Sequence, residues 1–287
     1  TQDLANDPTS SAARQAMLSS AEQLASSLNS MDRWFDGIET GVDDAIATDI
    51  DQVNDLTASI AELNGAIVSG TANGQQPLDL LDRRDQSINA LSRLIDVRVM
   101  NEDSGAKAVY LANGQPLVNG NLANRLETFQ DGTGDGAHNI TLVTANGTRN
   151  DITASVQGGE IGARIDFRDD LLSQTRNGLD RLAVDIATRM NAQQARGMDL
   201  NGNTGQALFS IADPQVLPEN GTTGSIGVSI DAATPLTGGS YQFSYNGGGW
   251  TLSDADTGQN VLLSGSGTSA DPFVAQGMRI AVAPGAT

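Results

Sequence analysis

At 287 residues the chain has length for one large domain or two to three small ones, each able to bury a core. Its 35 acidic against 16 basic residues leave a net charge of −19, which repels phosphate backbones and anionic lipid and argues against nucleic acid or membrane surfaces as partners. Without cysteine there is neither a disulfide framework nor a thiolate metal site, and no apolar run approaches the roughly 20 residues that span a bilayer. Aromatic residues make up 4% and glycines number 32, a composition that suits long helices and turn-rich β domains better than an enzyme with an aromatic-lined pocket. The start at Thr1 rather than Met is expected of a fragment or a processed core.

Asp7-Pro8 is a helix-start signal, and Met17, Ala21, Leu24, Leu28, Met31, Phe35 and Ile38 follow at alternating steps of four and three. That heptad seam requires a partner helix, because burying each larger side chain contributes about 1.5–3 kcal/mol. Gly37 and Gly41 leave two readings open, a break or a continuous helix that tolerates each at about 1 kcal/mol relative to alanine. The stripe continues through Val42 and Ile46, which favours one helix of roughly 60 residues, a rod of about 90 Å at 1.5 Å per residue.

Between Asp43 and Asp96 two helical patterns flank a turn. Ile46, Ile50, Val53, Leu56, Ile60, Leu63 and Ile67 form one stripe, and Leu81, Ile88, Leu91 and Ile95 form another. Asn73-Gly74 marks the turn, Pro77 suits the first turn of the second helix, and Asp79 is placed to accept its free N–H groups. The acids and arginines of the second helix are expected largely on its wet face.

Short strand-like runs follow at Val97-Arg98-Val99, Ala108 to Leu111, Leu117-Val118 and Ile140 to Val143, with hairpin signals at Asn113-Gly114 and Asn146-Gly147. Helical spacing returns in Ile161, Ile165, Leu172, Leu179, Leu182, Ile186 and Met190, a stripe that ends near Gly197 and supplies a partner for the earlier seams. Beyond Phe209 strands and turns dominate: Ser225 to Ile230, Tyr241 to Tyr245, Trp250 to Ser253, Val261 to Leu263 and Met278 to Val282. The expected fold is α+β, an elongated bundle of long helices with a small β insertion, followed by a separate β-rich outer domain. A helical core domain spans residues 1–206, with helices at about 8–70, 78–96 and 160–196 and the insertion at about 97–157; the outer domain spans 207–287 and is expected to be cut short at its end.

Candidate chemistry is sparse. Asp82 and Asp85 share a helix with Arg83 and Arg84 and suggest paired carboxylates, but acids beside arginines early in a helix make surface ion pairs and caps. Asp199-Leu200-Asn201-Gly202-Asn203-Thr204-Gly205 resembles a calcium loop, yet Thr204 and Ser210 stand where such a loop needs glycine and a bidentate glutamate. Asp131-Gly132-Thr133-Gly134-Asp135-Gly136 lacks the lysine and helix of a phosphate loop. His138 is the single histidine, and Ser266 between Gly265 and Gly267 lacks the strand-to-helix setting of a nucleophile. No catalytic, cofactor-binding or metal-binding residue and no cofactor is assigned.

Leu80-Leu81-Asp82-Arg83-Arg84-Asp85, preceded by Ile60-Ala61-Glu62-Leu63-Asn64 and followed by Leu91-Ser92, closely resembles the signature of the flagellar hook-associated protein 1 family, where glutamine is usual at the position of Arg83. The resemblance continues through Phe167-Arg168, Leu171, Gln174-Thr175-Arg176-Asn177, Leu179, Leu182 and Ala183, then Asn191, Gly197, Asp199, Gly202, Gly205 and Phe209, and into the Tyr241 to Trp250 strand pair. It implies a non-enzymatic structural protein, exported through the flagellar type III apparatus. Such a protein forms a homo-oligomeric ring at the hook-filament junction, with hook protein on one side and the next junction protein or flagellin on the other. The resemblance further implies a core fragment lacking the terminal segments, including those that meet an export chaperone. The competing expectation is a surface-exposed adhesin or glycan-binding protein that uses Tyr241, Tyr245 and Trp250 of the β domain.

Overall fold

The computed structural model describes residues 7, 9–74, 77–130, 138–199, 202–218, 223–231 and 234–286. Pro8, the Asp131 to Gly136 run and Leu200-Asn201 of the Asp199 loop lie outside the described residues. The architecture is α+β, and the chain gathers into two compact units, Ile38–Leu171 and Thr1–Gly37 with Leu172–Thr287.

One uninterrupted helix, α1 (Ser11–Ala72), contributes to both units. Gly37 and Gly41 sit within it with open space where a side chain would lie, so neither is required by close packing. The 62-residue length agrees with the continuous reading of the stripe.

In the unit Ile38–Leu171, α1 buries Ile46, Ile50, Val53, Ile60 and Ile67 to 2% exposure or less, as the helical spacing requires. The chain reverses through Gly74 at φ +78 into α2 (Leu78–Leu94), whose Ile88, Leu91 and Leu94 meet the same core. Pro77 occupies the cap, one position before the expected first turn, and no side chain caps this N-terminus; Asp79 is exposed. A four-stranded antiparallel meander covers the helices: β1 (Val97–Asn101), β2 (Lys107–Leu111), β3 (Pro116–Asn119) and β4 (Leu122–Ala123). A second sheet holds β5 (Arg125–Gln130), β6 (His138–Val143) and β7 (Arg149–Asp151) in that order.

Both asparagine-glycine turns are where the sequence places them, with Gly114 between β2 and β3 and Gly147 between β6 and β7 at φ +84. Val109, Leu111, Leu117, Val118, Leu126, Ile140 and Leu142 complete one core with the helices. After a 3-10 turn (Thr153–Ser155), α3 (Gly159–Asp166) adds Ile161 and Ile165. Gly159 has φ +68, and a Cβ there would stand 2.6 Å from the Leu94 carbonyl oxygen, so this close approach of α3 to the end of α2 admits only glycine.

The third helical stripe is not a plain α-helix. Between α3 and α4 (Ser173–Ala195) lies a π-helical segment, Phe167–Leu172. A wider turn of this kind breaks the 3.6-residue repeat locally. Leu172 is buried, but Leu182, expected in the stripe, is 53% exposed.

In the other unit, α4 and the first arm of α1 accompany two three-stranded antiparallel sheets. One has the order β12 (Phe273–Ala275), β13 (Met278–Val282), β8 (Ile226–Ile230); the other has β11 (Asn260–Val261), β10 (Trp250–Asp254), β9 (Tyr241–Tyr245). Leu252, Ala275, Met278 and Ile280 are their buried centre, joined by Phe243 and Phe273. Trp250 stacks on Phe243 with ring centroids 4.6 Å apart.

Leu91 has no exposed surface at the junction of α2 with the core. Leu91→Ala is expected to destabilise by about 2–5 kcal/mol, and Leu91→Asp by more because it buries a charge. Denaturant titration checks both, and an unchanged midpoint for either variant would place Leu91 outside the core.

Candidate functional site

The polar residues that the fold buries are locks between elements. Asn64 on α1 is fully buried, and its Oδ1 accepts from the Lys107 N–H at 3.0 Å while its Nδ2 donates to the Lys107 and Gly120 carbonyls, each at 2.8 Å. Arg84 reaches the same point from α2, its Nη1 donating to Asn64 Oδ1 at 3.1 Å and to the Gly105 carbonyl at 2.9 Å. Arg84 is only 3% exposed, the one exception to the expectation that the acids and arginines of α2 lie largely on its wet face, where Asp79, Asp82, Arg83, Asp85 and Arg93 are exposed. Burial lowers its pKa although the charge of Asp85 opposes that shift, and its Nε is buried without a protein partner. One turn of sheet backbone is thereby fastened to two helices at once.

A second lock joins α1 to the π-helical segment. Arg168 Nη1 donates to Asp43 Oδ1 at 2.6 Å and to the His138 carbonyl at 3.0 Å, and both charged side chains are almost wholly buried. Burial alone would lower the Arg168 pKa; the hydrogen bonds to Asp169 and Asp43 and the charges of both carboxylates together outweigh it and raise the value. One turn earlier, Arg164 Nε binds Asp49 at 2.8 Å, and Arg164 also pairs with Glu160 on its own helix. His138 lies in β6 with Nδ1 3.8 Å from Asp43 Oδ2.

In the other unit Arg176 of α4 bridges Asp32 at 3.0 Å and Asp36 at 2.6 Å on α1. Asp180 lies one turn further along α4, and burial, then the nearby Asp32 charge, raise its pKa against the opposing Arg176. Asn191 fastens the chain that leaves α4, accepting from the Leu208 and Phe209 N–H groups and donating to the Phe209 carbonyl.

The residues weighed in sequence for chemistry are each engaged locally or exposed. Asp85 pairs with Lys107 at 2.6 Å, whereas Asp82 is exposed. Asp199 accepts from the Asn203 N–H and side chain, closing the loop on itself. Ser266 Oγ donates to the Asp271 carbonyl within a turn. Among the described residues, no three or more His, Asp or Glu side chains are placed to hold a metal ion.

Exposed apolar groups occur both on the helices and on strands and loops, Leu262 being the most exposed at 93%. On α1, Leu18, Met31 and Trp34 are 44%, 52% and 63% exposed, and Ala21 is the one seam residue that is fully covered. Met31 and Trp34 line an open groove of about 390 Å³ with Gln23, Ser26, Ser27 and Ser30. Phe167, Leu171 and Leu182 are similarly exposed further along the chain. Long helices, sheets locked to them by buried polar residues and no clustered metal ligands among the described residues define the chain as an α+β protein built around its helices.

The comparisons make that class specific. Residues 1–209 match the helical domain of the flagellar hook-associated protein FlgK. The chain is 31% identical over 253 residues to flagellar hook-associated protein 1 of Escherichia coli K12, covering 86% of this chain and 46% of that protein. It is 30% identical over 288 residues to flagellar hook-associated protein 1 of Salmonella typhimurium LT2, covering 98% and 51%. The structure of the flagellar hook junction protein FlgK from Burkholderia pseudomallei superposes with a TM-score of 0.88 at 31% identity, covering all of this chain and 52% of that one. The chain belongs to the flagellar hook-associated protein FlgK family, and it spans about half the length of the relatives it matches. These relatives lend the adhesin expectation no support, and Trp250 is engaged in stacking on Phe243.

Two predictions follow the locks. Asn64→Ala leaves the Lys107 N–H and the Lys107 and Gly120 carbonyls without this partner and takes from Arg84 one of its two acceptors, and is expected to cost about 3–5 kcal/mol, whereas Arg84→Met, which removes the buried charge itself, is expected to cost clearly less. Thermal unfolding of the two variants checks the order. The second concerns pH: because the folded Asp180 pKa lies above its unfolded value, its contribution is fully favourable in acid and is lost as pH rises through the folded value. Asp180→Asn is therefore expected to raise the melting temperature at pH 7 and to converge with the parent chain in acid, measured by calorimetry across that range.

Proposed function

We propose that this chain is a structural component of the bacterial flagellum at the junction that joins hook to filament. The observation that carries the reading is the match of residues 1–209 to the FlgK helical domain, supported by the superposition on the Burkholderia junction protein. In this reading the protein is exported and self-assembles into a ring, with hook protein on one side and the next junction protein or flagellin on the other, and an export chaperone escorts it. Residues 1–206 form the helical domain that stacks within the assembly, and 207–287 form the outer β domain. Its work is mechanical and no catalysis is involved. The exposed Leu18, Met31 and Trp34 suit such a role, because apolar helix faces gain by being covered on assembly.

Deleting the gene in its motile host is expected to leave bare hooks and to release monomeric flagellin into the medium, both reversed by the intact gene. Normal filaments in the deletion strain would sink the proposal.

A further inference from the structure

The two outer sheets bury an apolar centre composed of their own residues and the segment between β8 and β9: Leu252, Ala275, Met278 and Ile280, with Ile226, Val228, Leu236, Tyr241, Phe243, Val261, Leu263 and Phe273 around them. No residue of α4 belongs to it. What joins these sheets to α4 is polar. Arg181 Nη2 reaches Asp256 at 2.7 Å and Asp254 at 3.3 Å, and its Nε donates to the Gly238 carbonyl at 3.2 Å. Asn177, only 4% exposed, donates to Asp256 at 2.7 Å and accepts from Ser240 Oγ at 2.9 Å. The fit is close: a Cβ on Gly238 would stand 2.8 Å from the Arg181 backbone nitrogen. Asp254 is preformed for this contact, since its Oδ1 accepts the Asp256 and Thr257 N–H groups and leaves Oδ2 for Arg181.

We propose that the outer β module is a detachable body, fixed on α4 by this polar clasp and free to swing when the clasp opens. The pivot is Ser210 to Ala212. Phe209 is held to α4 by Asn191, and Asp213 is held to the module by the Ile230 N–H at 3.1 Å, so the freedom lies between them. A joint of this kind separates two stabilities. The module's core is apolar and internal, while the clasp is built from ion pairs of a half-exposed arginine, which contribute little each and act together with the buried amide. Opening it therefore leaves the module folded.

The chain has no cysteine, so Gln193→Cys on α4 and Ser229→Cys on β8 give unique spin-label sites in the 287-residue chain. Pulsed electron resonance is expected to give one narrow distance peak in the parent and loss of that peak in Arg181→Ala, with the same loss in Asp256→Ala, which opens the clasp from the other side. In a Trp34→Phe background the Trp250 emission reports the module's core and is expected to stay unchanged in both variants. A peak that stays narrow in both variants overturns the proposal, as does a broad distribution in the parent. A Trp250 emission that shifts to that of an exposed indole also overturns it, because the module would then depend on the clasp for its fold.

Discussion

The fold depends on side-chain amides that take the place of a neighbouring strand. Asn54 of α1 accepts from the Leu126 N–H and donates to the Leu126 carbonyl, each at 2.8 Å. Asn64 does the same to Lys107, and Asn191 of α4 does it to Phe209. In each case a helix meets partly buried backbone and supplies a partner to both its N–H and its C=O. Hydrophobic burial brings helices and sheets together without fixing their register, because it is non-directional. The amide pair supplies direction: it is satisfied at one residue of the strand and at no neighbour. Two clamps ten residues apart on α1 fix where both sheets of the Ile38–Leu171 unit lie along the helix, and Arg84 makes the position of α2 conditional on one of them.

The π-helical segment has a similar logic. Phe167–Leu172 inserts a wide turn between two α-helices, and that turn carries Arg168 inward to Asp43 and the His138 carbonyl. A buried pair is a weak source of net stability compared with an apolar replacement, yet removing one partner strands a charge, at a cost of about 3–5 kcal/mol. The pair therefore selects one packing of the helix against α1 and penalises others. Gly159 sharpens the choice from the other end, where the approach to Leu94 excludes any side chain. Between these two points α3 has little freedom to shift.

Much of this was legible in sequence, by two different signals. Apolar periodicity located α1, α2 and most strands because those positions are buried by helices and sheets of regular geometry; Ile46, Ile50, Val53 and Ile60 are the plainest case. Periodicity failed at Leu182, which is exposed although Leu179, Ile186 and Met190 of the same stripe are half-buried, and it passed over β5, whose Arg-Leu-Glu-Thr-Phe-Gln sequence carries charge on a half-exposed strand. It also failed at Arg84, since a charged residue on a helix is read as solvated unless its partner is known. The family resemblance had already singled out Asn64, Arg84, Arg168, Asn177 and Asn191 with no physical account of them. The structure provides one: all five are hydrogen-bonded locks, four of them buried to 4% exposure or less.

Charge composition explains why arginine carries so much of this work. Of the 16 basic residues only Lys107 is a lysine, against 35 acids. A scarce cation in an acidic chain is never short of carboxylates, so the constraint is geometric, and the planar guanidinium can serve two or three acceptors in fixed directions. Arg149 links β7 to Glu127 of β5, Arg164 and Arg168 bind α1, Arg176 joins α4 to α1, and Arg181 joins α4 to the outer sheets. The pair of Arg189 with Asp185 within α4 is exposed and constrains nothing beyond its own turn. With 35 acids against 16 cations, most of the acid has no cation to pair with, and its like charge opposes unspecific association. The exposed Leu18, Met31 and Trp34 of α1 then stand out as places where contact is favourable on a surface that otherwise repels like charge.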